Sequence, residues 1–419
     1  MKSVGLVGFG VSNKGLFDYF SNKGYDIFVH LKEKEQLPTG ATGIFGKDYL
    51  VCNEDLVFRS PSIRPDRIIS NAVPICESTY ALSLLDFRKI GITGSDGKTT
   101  TATLTSLLLN EYGKSTFLGG NIGTPIINAV GKIYDYCVCE LSSFQLMDSP
   151  PYLDTAIITS ITENHLDYHR DINEYISAKK SILQNAKKCV LPYDDLLTRN
   201  MAIIKDTTFA SLNDISHMSG SKVYIKDGYI YKDEVQILDV SRVLLRGKFN
   251  LLNLMLAIGA MPYLNIEAIQ RVAYSFCGVS HRMELVRELN GVKFYNSSID
   301  TTPSRTLATL SAFDKEKTII ILGGYDKNLS YECLEKGLEN IKCAILMGES
   351  KSKIAPYIKR PIFVNNLNEA VNYAYKIAKS KDTVLLSPAC ASFDMYSSYI
   401  ERGEHFKKAV NLLCLTGVE

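Results

Sequence analysis

A chain of 419 residues is long enough for two to four domains, each with a sizeable core. Its apolar content of 46% and charged content of 22% are ordinary for a soluble globular protein. The net charge of +2, without a basic block, argues against a nucleic-acid-binding protein, and no apolar stretch reaches the roughly 18 residues of a membrane span.

The first residues and the cysteines indicate where the protein works. The opening stretch MKSVGLVGFG runs straight into a glycine-punctuated strand and shows no signal-peptide cleavage pattern. The ten cysteines are scattered and form no C-x-x-C pair. We interpret them as reduced and mostly buried, which argues against a disulfide framework or a zinc site. The sequence therefore predicts a cytoplasmic protein.

Residues 1–88 are predicted to form a small domain with a parallel sheet. A strand, a turn with Gly8 and Gly10, and a helix open this segment. The turn is similar to the fingerprint G-x-G-x-x-G, but Asn13 takes the place of the third glycine, and His30 stands where an acidic residue would end the next strand. The turn would suit a diphosphate group. Binding of NAD is poorly supported, because the third glycine and the acidic residue of the fingerprint are missing. A tight strand-to-helix turn without a ligand is an equally good interpretation.

A glycine-rich loop opens the second segment, residues 89–278, which is predicted to be a domain with a parallel sheet. The stretch TGSDGKTT (93–100) follows an apolar strand and precedes a helix-forming segment. Backbone N–H groups of such a loop bind phosphate oxygens, its lysine reaches the outer phosphates, and the next hydroxyl can bind Mg²⁺. Ile92 replaces the first glycine of the general pattern, which leaves a glycine-rich turn with a surface lysine as the alternative. The candidate phosphate-binding residues are Gly94, Ser95, Asp96, Gly97, Lys98, Thr99 and Thr100.

Polar residues follow two further strands of this segment. Glu140 ends the strand YDYCVCE, and Asn164 and His165 come directly after the strand DTAIITSI. In open parallel sheets, ligands lie beyond the carboxyl ends of the strands. Taken alone, Glu140 would be interpreted as an exposed carboxylate at a strand end, and His165 as a loop histidine whose hydrogen bonds are satisfied. All three beside one phosphate loop favour a functional site.

Local pattern predicts three more features here. The stretch NEYISAKKSILQNA (173–186) is expected to be a helix, and composition alone would place its Lys179 and Lys180 on the surface. Residues 222–238 alternate apolar and polar side chains around an Asp-Gly pair and predict a β-hairpin. Asn250 and Asn253 lie three positions apart in a helix-forming stretch, so they are expected on one face.

Residues 279–419 alternate strands and helices, which predicts a doubly wound parallel sheet. Helices are expected near 330–341, 351–358 and 368–379. Polar loops again follow the strands, one of them with Lys327.

Together these motifs resemble the Mur ligase family. They occur in one collinear order along all three predicted domains, and ELSSFQL with LSPACASFD is similar to its D-glutamate-adding branch. The stretches that carry the resemblance are TGSDGKTT (93–100), GGNIG (119–123), ELSSFQL (140–146), TENHLDYH (162–169), EYISAK (174–179), RGKFNLLN (246–253), HRME (281–284), GGYDK (323–327), LSPACASFD (386–394) and RGEHF (402–406).

The resemblance implies an α/β protein of three domains. A Rossmann-like, UDP-substrate-binding domain (1–88) would precede a central P-loop ATPase domain (89–278) and a C-terminal Rossmann-like, amino-acid-binding domain (279–419). The implied reaction joins UDP-N-acetylmuramoyl-L-alanine to D-glutamate through an acyl phosphate, with ATP split to ADP and phosphate, in peptidoglycan precursor synthesis. ATP and two Mg²⁺ ions are the implied cofactors. The substrates are small molecules, and we expect a monomer.

The family's functional residues map onto this chain by motif. The resemblance implies that the catalytic residues are Lys98, Glu140, His165 and Lys179, and that the metal ligands are Thr99, Glu140, His165 and a carbamylated Lys179. Beyond the phosphate loop, Asn250, Asn253, Arg282 and Asp300 would contact ATP. Contacts to the UDP substrate would come from Val11, Ser12, Asn13, Asn121 and Ser142, with His30 and Lys32 as guesses for uracil. D-glutamate would be bound by Lys327, Ser392 and Phe393.

One stretch departs from the family pattern. Many members carry N-D-S-K-A-T where this chain has NSSIDTT, so Ser297 and Ile299 replace an acid and a lysine. Asp300 is a candidate to take over for the acid, whereas the lysine has no evident replacement. Two alternatives follow: a folate or other amino-acid ligase with the same central domain, and a non-catalytic nucleotide-binding paralogue. The retained motif residues argue against the paralogue: Lys98, Thr99, Glu140, His165 and Lys179.

Overall fold

The computed structural model describes residues 2–165, 167–202 and 206–413. The chain forms two compact units: unit 1 holds the chain up to Val243 with Phe249–Ser275, and unit 2 holds Leu244–Lys248 with the chain from Phe276 onward. Both units are mixed α/β with sheets rich in parallel strands, which confirms the α/β part of the predicted fold class. The three-domain division stays a prediction. Within the described residues, no helix combines the length and apolar character needed to cross a bilayer.

Unit 1 begins with a four-stranded parallel sheet. Its elements are β1 (Ser3–Val7), α1 (Val11–Ser21), β2 (Asp26–Leu31), β3 (Ala41–Phe45), β4 (Val51–Cys52), β5 (Leu56–Arg59), β6 (Ile69–Ser70) and α2 (Glu77–Leu84). The sheet order is β3-β2-β1-β5, and the short β4 and β6 pair separately. Leu16, Phe17 and Phe20 of α1 are buried in the same core as β1 and β2, as the apolar spacing of a helix face requires.

A nine-stranded sheet follows in unit 1. Its elements are β7 (Arg88–Thr93), α3 (Lys98–Glu111), β8 (Thr116–Gly120), β9 (Tyr136–Glu140), β10 (Leu153–Ile158), α4 (Ile172–Lys180), β11 (Ala186–Pro192), α5 (Leu196–Arg199), β12 (Thr207–Ser211), β13 (Lys222–Lys226), β14 (Tyr229–Lys232), β15 (Val235–Asp239), α6 (Lys248–Gly259) and α7 (Ile266–Ser275). The strand order is β15-β14-β13-β12-β11-β10-β7-β9-β8, parallel from β8 to β13. Register pairs Ile92 of β7 with Glu140 and Thr93 with Ile158, so three strands end together.

The predicted hairpin in unit 1 is confirmed. Strands β13 and β14 pair antiparallel across Asp227 and Gly228. Both turn residues have positive φ, at 48° and 79°, as a two-residue type I′ turn requires.

Unit 2 is built on a six-stranded sheet. Its elements are β16 (Glu284–Leu289), β17 (Val292–Asn296), α8 (Pro303–Leu310), β18 (Thr318–Leu322), α9 (Leu334–Gly337), β19 (Cys343–Leu346), α10 (Lys351–Ile354), β20 (Pro361–Phe363), α11 (Leu367–Ile377), β21 (Thr383–Leu386) and α12 (Tyr399–Leu412). The order is β16-β17-β21-β18-β19-β20, with only β16 antiparallel to its neighbour among these described strands. Ile319 and Ile321 of β18 enter one core, while Ile320 and Leu322 enter another, so both faces of the sheet are covered.

Two of the three helices that the sequence predicts with bounds in unit 2 differ in length from their prediction, whereas α11 (Leu367–Ile377) matches the helix expected near 368–379. The helix expected near 330–341 is only the short α9, and the one expected near 351–358 is α10 followed by a 3-10 turn at Ala355–Tyr357. Gly337, at the end of α9, packs so closely on Leu307 that an added Cβ would lie 2.0 Å from Leu307 Cδ2. Glycine has a low helix propensity, so this packing position also ends the helix.

None of the nine described cysteines is in a disulfide, and six of them are buried, as the sequence predicts. Cys414, the tenth, lies outside the described residues.

Candidate active site

The phosphate loop connects the central strand β7 to α3, and two of its glycines are required by geometry. Gly94 has a φ of 154° and Gly97 a φ of 83°, which side chains rarely adopt. An added Cβ would lie 1.9 Å from Thr159 Oγ1 at Gly94 and 2.3 Å from Asn253 Oδ1 at Gly97. The loop is therefore packed between the end of β10 and helix α6.

The first half of the loop is fixed by hydrogen bonds to the segment after β10. Ser95 N donates to Ser160 O at 2.8 Å, Asp96 N donates to Ser160 Oγ at 3.0 Å, and Ser95 Oγ lies 2.6 Å from Tyr175 Oη. Helix α3 then begins after Gly97, and among the described residues no side chain caps its first turn. A helix N-terminus of this kind, with its N–H groups and positive dipole end, suits a phosphate.

Two lysines meet at one backbone carbonyl of the loop. Lys98 Nζ donates to Gly94 O at 2.8 Å and to Ser95 O at 2.9 Å, and Lys179 Nζ donates to Gly94 O at 2.7 Å. Lys179 is only 2% exposed, so the surface position that composition alone indicates is wrong. Burial, with the neighbouring charge of Lys98 as the second cause, lowers the pKa of Lys179 to about 7. The Lys179 amine is therefore partly neutral at physiological pH.

A hydroxyl and a carboxylate meet beside these lysines. Thr99 Oγ1 donates to Glu140 Oε2 at 2.7 Å, and Asn121 Nδ2 donates to Glu140 Oε1 at 2.8 Å. Glu140 is 2% exposed. Mg²⁺ prefers hard oxygen ligands, so the Thr99–Glu140 pair fits the metal that the sequence predicts.

The loop after β10 holds His165. The imidazole is exposed, its backbone φ is 56°, and its ring centroid lies 5.0 Å from that of Phe144 and 6.5 Å from that of Tyr175. Tyr175 also contacts Ser95, so this loop lies near the phosphate loop. The metal-ligand role of His165 stays a prediction.

Helix α6 places its two asparagines as the sequence predicts. Asn253 Nδ2 donates to Asn250 Oδ1 at 3.4 Å, and both residues are buried, which confirms that they share a face. Because Asn253 also packs on Gly97, this face borders the phosphate loop.

The candidate residues for the UDP substrate differ in their exposure. Val11 is exposed and Ser12 is half-buried at the start of α1, whereas Asn13 is buried and donates to Val7 O at 3.2 Å and Gly8 O at 2.7 Å. The Asn13 side chain thus holds the turn between β1 and α1.

Ser142 and His30 have local partners. The hydroxyl of Ser142 donates to Gln145 Oε1 at 3.0 Å. His30 is fully buried, with Nε2 3.1 Å from Glu54 Oε1, and its contact to uracil stays a prediction. Lys32, the second guess for uracil, is exposed.

In unit 2, the stretch that departs from the family pattern forms a buried hydrogen-bond network. Asp300 is buried, and its Oδ2 accepts from Ser387 Oγ at 2.8 Å. Burial raises the pKa of Asp300 above its usual range, against the hydrogen bonds from neighbouring hydroxyls. Ser297 is also buried, and its Oγ accepts from Met283 N at 3.3 Å. Asp300 therefore stabilises this loop through its hydrogen bond with Ser387. Its contact to ATP stays a prediction, and so does the ATP contact of the half-buried Arg282.

The predicted D-glutamate residues lie at two strand ends of unit 2. Lys327 and Phe393 are exposed, and Ser392 is buried. A hydrogen bond from Tyr325 N to Ala391 O, at 2.9 Å, joins the two loops that carry them.

Sequence reasoning missed the role of Arg402, although RGEHF was among the matched motifs. This guanidinium is fully buried and donates to Ala391 O at 2.9 Å, Cys390 O at 3.0 Å and Ser298 O at 2.9 Å. Burial lowers the pKa of Arg402 to about 10. Arg402 therefore holds the loop before Ser392 against the 297–300 loop.

The chain matches two protein-family models and is similar over nearly its full length to curated proteins. Residues 92–261 match the family described as Mur ligase middle domain, and residues 281–390 match Mur ligase, glutamate ligase domain. The chain is 39% identical to the UDP-N-acetylmuramoylalanine--D-glutamate ligase of Clostridium perfringens, over 98% of this chain and 96% of that protein. The ligase of the same name from Ruminiclostridium cellulolyticum is 38% identical, over 98% of this chain and 97% of its own length.

Solved structures share the fold at lower identity. UDP-N-acetylmuramate-alanine ligase MurC from Thermotoga maritima superposes with a TM-score of 0.59 at 20% identity, over 98% of this chain and 99% of that chain. MurF ligase from the same organism, in complex with ADP, superposes with a TM-score of 0.57 at 17% identity, over 98% of this chain and 95% of that chain.

Proposed function

The chain belongs to the Mur ligase family, and on that premise we propose that it is an ATP-dependent ligase that adds D-glutamate to UDP-N-acetylmuramoyl-L-alanine in peptidoglycan precursor synthesis. The substrate assignment rests on near-full-length relatives named as D-glutamate ligases. The ATP chemistry rests on one observation: Lys98 and Lys179 converge on Gly94 O beside the Thr99–Glu140 pair.

The chemistry requires a carboxylate to become an electrophile. A carboxylate resists attack by an amine because its oxygen is a very poor leaving group. Transfer of the γ-phosphoryl group of ATP to this oxygen gives an acyl phosphate, and the D-glutamate amine then attacks the carbonyl carbon and expels phosphate. Both steps gather negative charge, which cations placed beforehand stabilise. Lys98 and the N-terminus of α3 supply that positive potential in this chain.

The Thr99 hydroxyl and the Glu140 carboxylate would hold Mg²⁺ at the phosphates. Their oxygens lie 2.7 Å apart, Glu140 is buried, and both are donors of the type that Mg²⁺ prefers. When bound, the ion would neutralise charge on the transferred phosphoryl group. A second Mg²⁺, with His165 among its ligands, is part of the proposal.

Lys179 is proposed to carry a carbamate. Its neutral amine would attack CO₂, form an N–C bond and release one proton, which turns a neutral group into an anion; starting from the ammonium form, two protons leave in all. The lowered pKa of about 7 makes the neutral amine available, since an ordinary lysine is protonated at this pH. The carbamate would sit beside the Lys98 ammonium, which shares the Gly94 carbonyl, and would relieve the repulsion between two cations.

The remaining assignments concern the other substrates. Lys327 would pair with a carboxylate of D-glutamate, and backbone N–H groups near Ser392 would bind the other. The turn that begins α1 would bind the diphosphate of the UDP substrate through its N–H groups. A three-domain layout, a monomer and a cytoplasmic location complete the proposal.

A coupled phosphate-release assay tests the proposal. Release should require ATP, Mg²⁺, UDP-N-acetylmuramoyl-L-alanine and D-glutamate together, with Lys98→Ala protein as the control for contaminating ATPases. Equal turnover with L-glutamate would contradict the stereospecificity. Turnover with a folate substrate instead would support the folate ligase, and ATP binding without turnover on any substrate would support the paralogue.

A further inference from the structure

His30, Cys52 and Glu54 lie together in unit 1, and we propose that they form a binding site for a divalent cation of the zinc class. The three come from separate places: the strand β2, the strand β4 and the turn after β4. The site takes no residue from the phosphate loop, and the proposal does not depend on the ligase assignment.

The distances between the donor atoms carry the proposal. One ring nitrogen of His30 lies 3.1 Å from Glu54 Oε1, and the other lies 3.8 Å from Cys52 Sγ. One sulfur, one ring nitrogen and one carboxylate oxygen all lie within 4.8 Å of one another. Donors around a tetrahedral zinc ion are roughly 3.5 Å apart, so a contraction of about 1 Å would bring all three into contact with one ion.

The cluster is buried, and one of its atoms has no partner. His30, Cys52 and Glu54 are 0%, 1% and 8% exposed. Glu54 Oε2 is buried without a hydrogen-bond partner among the described residues, which is costly for a carboxylate. A cation at the cluster would compensate this buried charge.

The neighbouring strand makes room for the carboxylate. Gly5 lies in the middle of β1, and an added Cβ there would approach Glu54 Oε2 to 2.7 Å. Glycine weakens the interior of a strand, so its presence is consistent with a close approach here, and a larger residue would force the Glu54 carboxylate to shift.

The donor types select the metal. A thiolate, an imidazole and a carboxylate are the ligands of zinc sites, and the charges of thiolate and carboxylate balance a divalent ion. Mg²⁺ and Ca²⁺ prefer oxygen donors, so neither should compete at a sulfur-containing site. Three protein donors leave a fourth zinc position for water. The sequence predicted no zinc site because these donors follow no C-x-x-C spacing and meet only through the fold.

Cobalt binding to the full chain tests the site. After chelation and desalting, Co²⁺ is titrated in while the near-ultraviolet thiolate-to-cobalt band and the visible tetrahedral bands are recorded, with Mg²⁺ in excess. We expect both bands to saturate at one ion per chain and to disappear when Zn²⁺ is added, because zinc displaces cobalt at such sites. Without a thiolate band in the parent protein, the cluster would be a hydrogen-bonded core element and the proposal would be overturned.

Variants assign the bands to the cluster. Cys52→Ser should abolish the thiolate band, and Glu54→Gln should weaken cobalt affinity by about tenfold or more. Cys189→Ser is the matched control, because Cys189 is equally buried and lies 3.0 Å from Thr207 Oγ1, so a hydroxyl is tolerated there. Thermal melts without metal verify that each variant is folded. A thiolate band that persists in folded Cys52→Ser protein would place the ion at another cysteine and refute the assignment.

Discussion

Lys98 and Lys179 donate hydrogen bonds to the same oxygen, the carbonyl of Gly94, at 2.8 and 2.7 Å. Two ammonium groups at one carbonyl repel each other, and the buried one bears the larger cost. The arrangement favours either an anion at the loop or a neutral Lys179. Both outcomes suit a site that binds ATP phosphates, and substitution of each lysine in turn separates their roles.

Replacement of Lys98 by alanine should lower turnover by about 100-fold or more. Loss of one charged contact to a transferred phosphoryl group costs roughly 3 kcal/mol or more, which is a factor of about 100 in rate. The phosphate-release assay measures the effect, with Lys180→Ala as control because Lys180 is the neighbour of Lys179 to which no role is assigned. Lys98→Ala protein with activity close to that of the parent would contradict the ATP-binding assignment.

Lys179→Ala should also be inactive, but short carboxylic acids should partly restore it. An added carboxylate can take the place of the carbamate, whereas it cannot replace Lys98. The pKa of Lys179 is lowered to about 7, so the neutral amine dominates above pH 7 and can form the carbamate. Below pH 7 the side chain is mostly an ammonium ion, which does not react with CO₂. At pH 8 the parent protein should therefore lose rate in CO₂-depleted buffer and regain it with bicarbonate. An unchanged rate in both experiments would argue against the carbamate.

Thr99→Val should raise the Mg²⁺ concentration needed for half-maximal turnover. Valine keeps the shape of threonine but removes the hydroxyl that contacts Glu140 at 2.7 Å. We expect an increase of about tenfold or more, typical of a perturbed metal site. Thr99→Ser retains the hydroxyl and should behave like the parent. The same Mg²⁺ dependence in the valine and serine variants would exclude Thr99 as a ligand.

Gly97→Ala should weaken ATP binding through a steric contact. The added Cβ would lie 2.3 Å from Asn253 Oδ1 on a backbone with a φ of 83°. Gly113→Ala is the matched control, because Gly113 has a φ of 73° and no atom within 4 Å of an added Cβ. Both variants should lower the melting temperature through left-handed backbone strain of about 1–2 kcal/mol. Calorimetric titration with ATP should show a loss of affinity for Gly97→Ala alone. If the two variants bound ATP with equal affinity, the Asn253 side chain would have moved away without disturbing the loop.

Glu77→Gln should remove a pH dependence of stability. Glu77 is buried, its Oε1 accepts from Ile127 N at 2.5 Å, and burial raises the pKa of Glu77 from 4.5 to about 7. Between these values the folded state holds a proton that the unfolded state has lost, so stability falls as the pH rises from about 4.5 to 7. The full effect is of the order of 3 kcal/mol.

Urea unfolding at pH 5 and pH 8 measures the effect. The glutamine variant should lose less stability than the parent between the two pH values, while Glu33→Gln, at an exposed position, should follow the parent. If Glu77→Gln protein showed the same pH profile as the parent, the Glu77 carboxyl group of the parent protein would titrate normally.

Local pattern was sufficient for the elements around the site. The phosphate loop, the Asp227-Gly228 hairpin and the shared face of Asn250 and Asn253 were all predicted from spacing and turn residues, and the structure has them. Each depends on the backbone conformation of a few consecutive residues, which their side chains and glycines largely fix.

Tertiary structure alone decided which polar side chains are buried and what they meet. Lys179 and Lys180 are adjacent residues of the same type. Only Lys179 is buried, and its ammonium group donates to the backbone of the phosphate loop. Asn13 turns into its own loop, and Arg402 reaches carbonyls about a hundred residues away in the chain as well as nearby. The charge state and the partners of a buried group depend on segments distant in sequence, because desolvation and Coulomb interactions act through space. The sequence therefore predicted which loop would bind phosphate, and the fold decided which of two adjacent lysines is buried beside that loop.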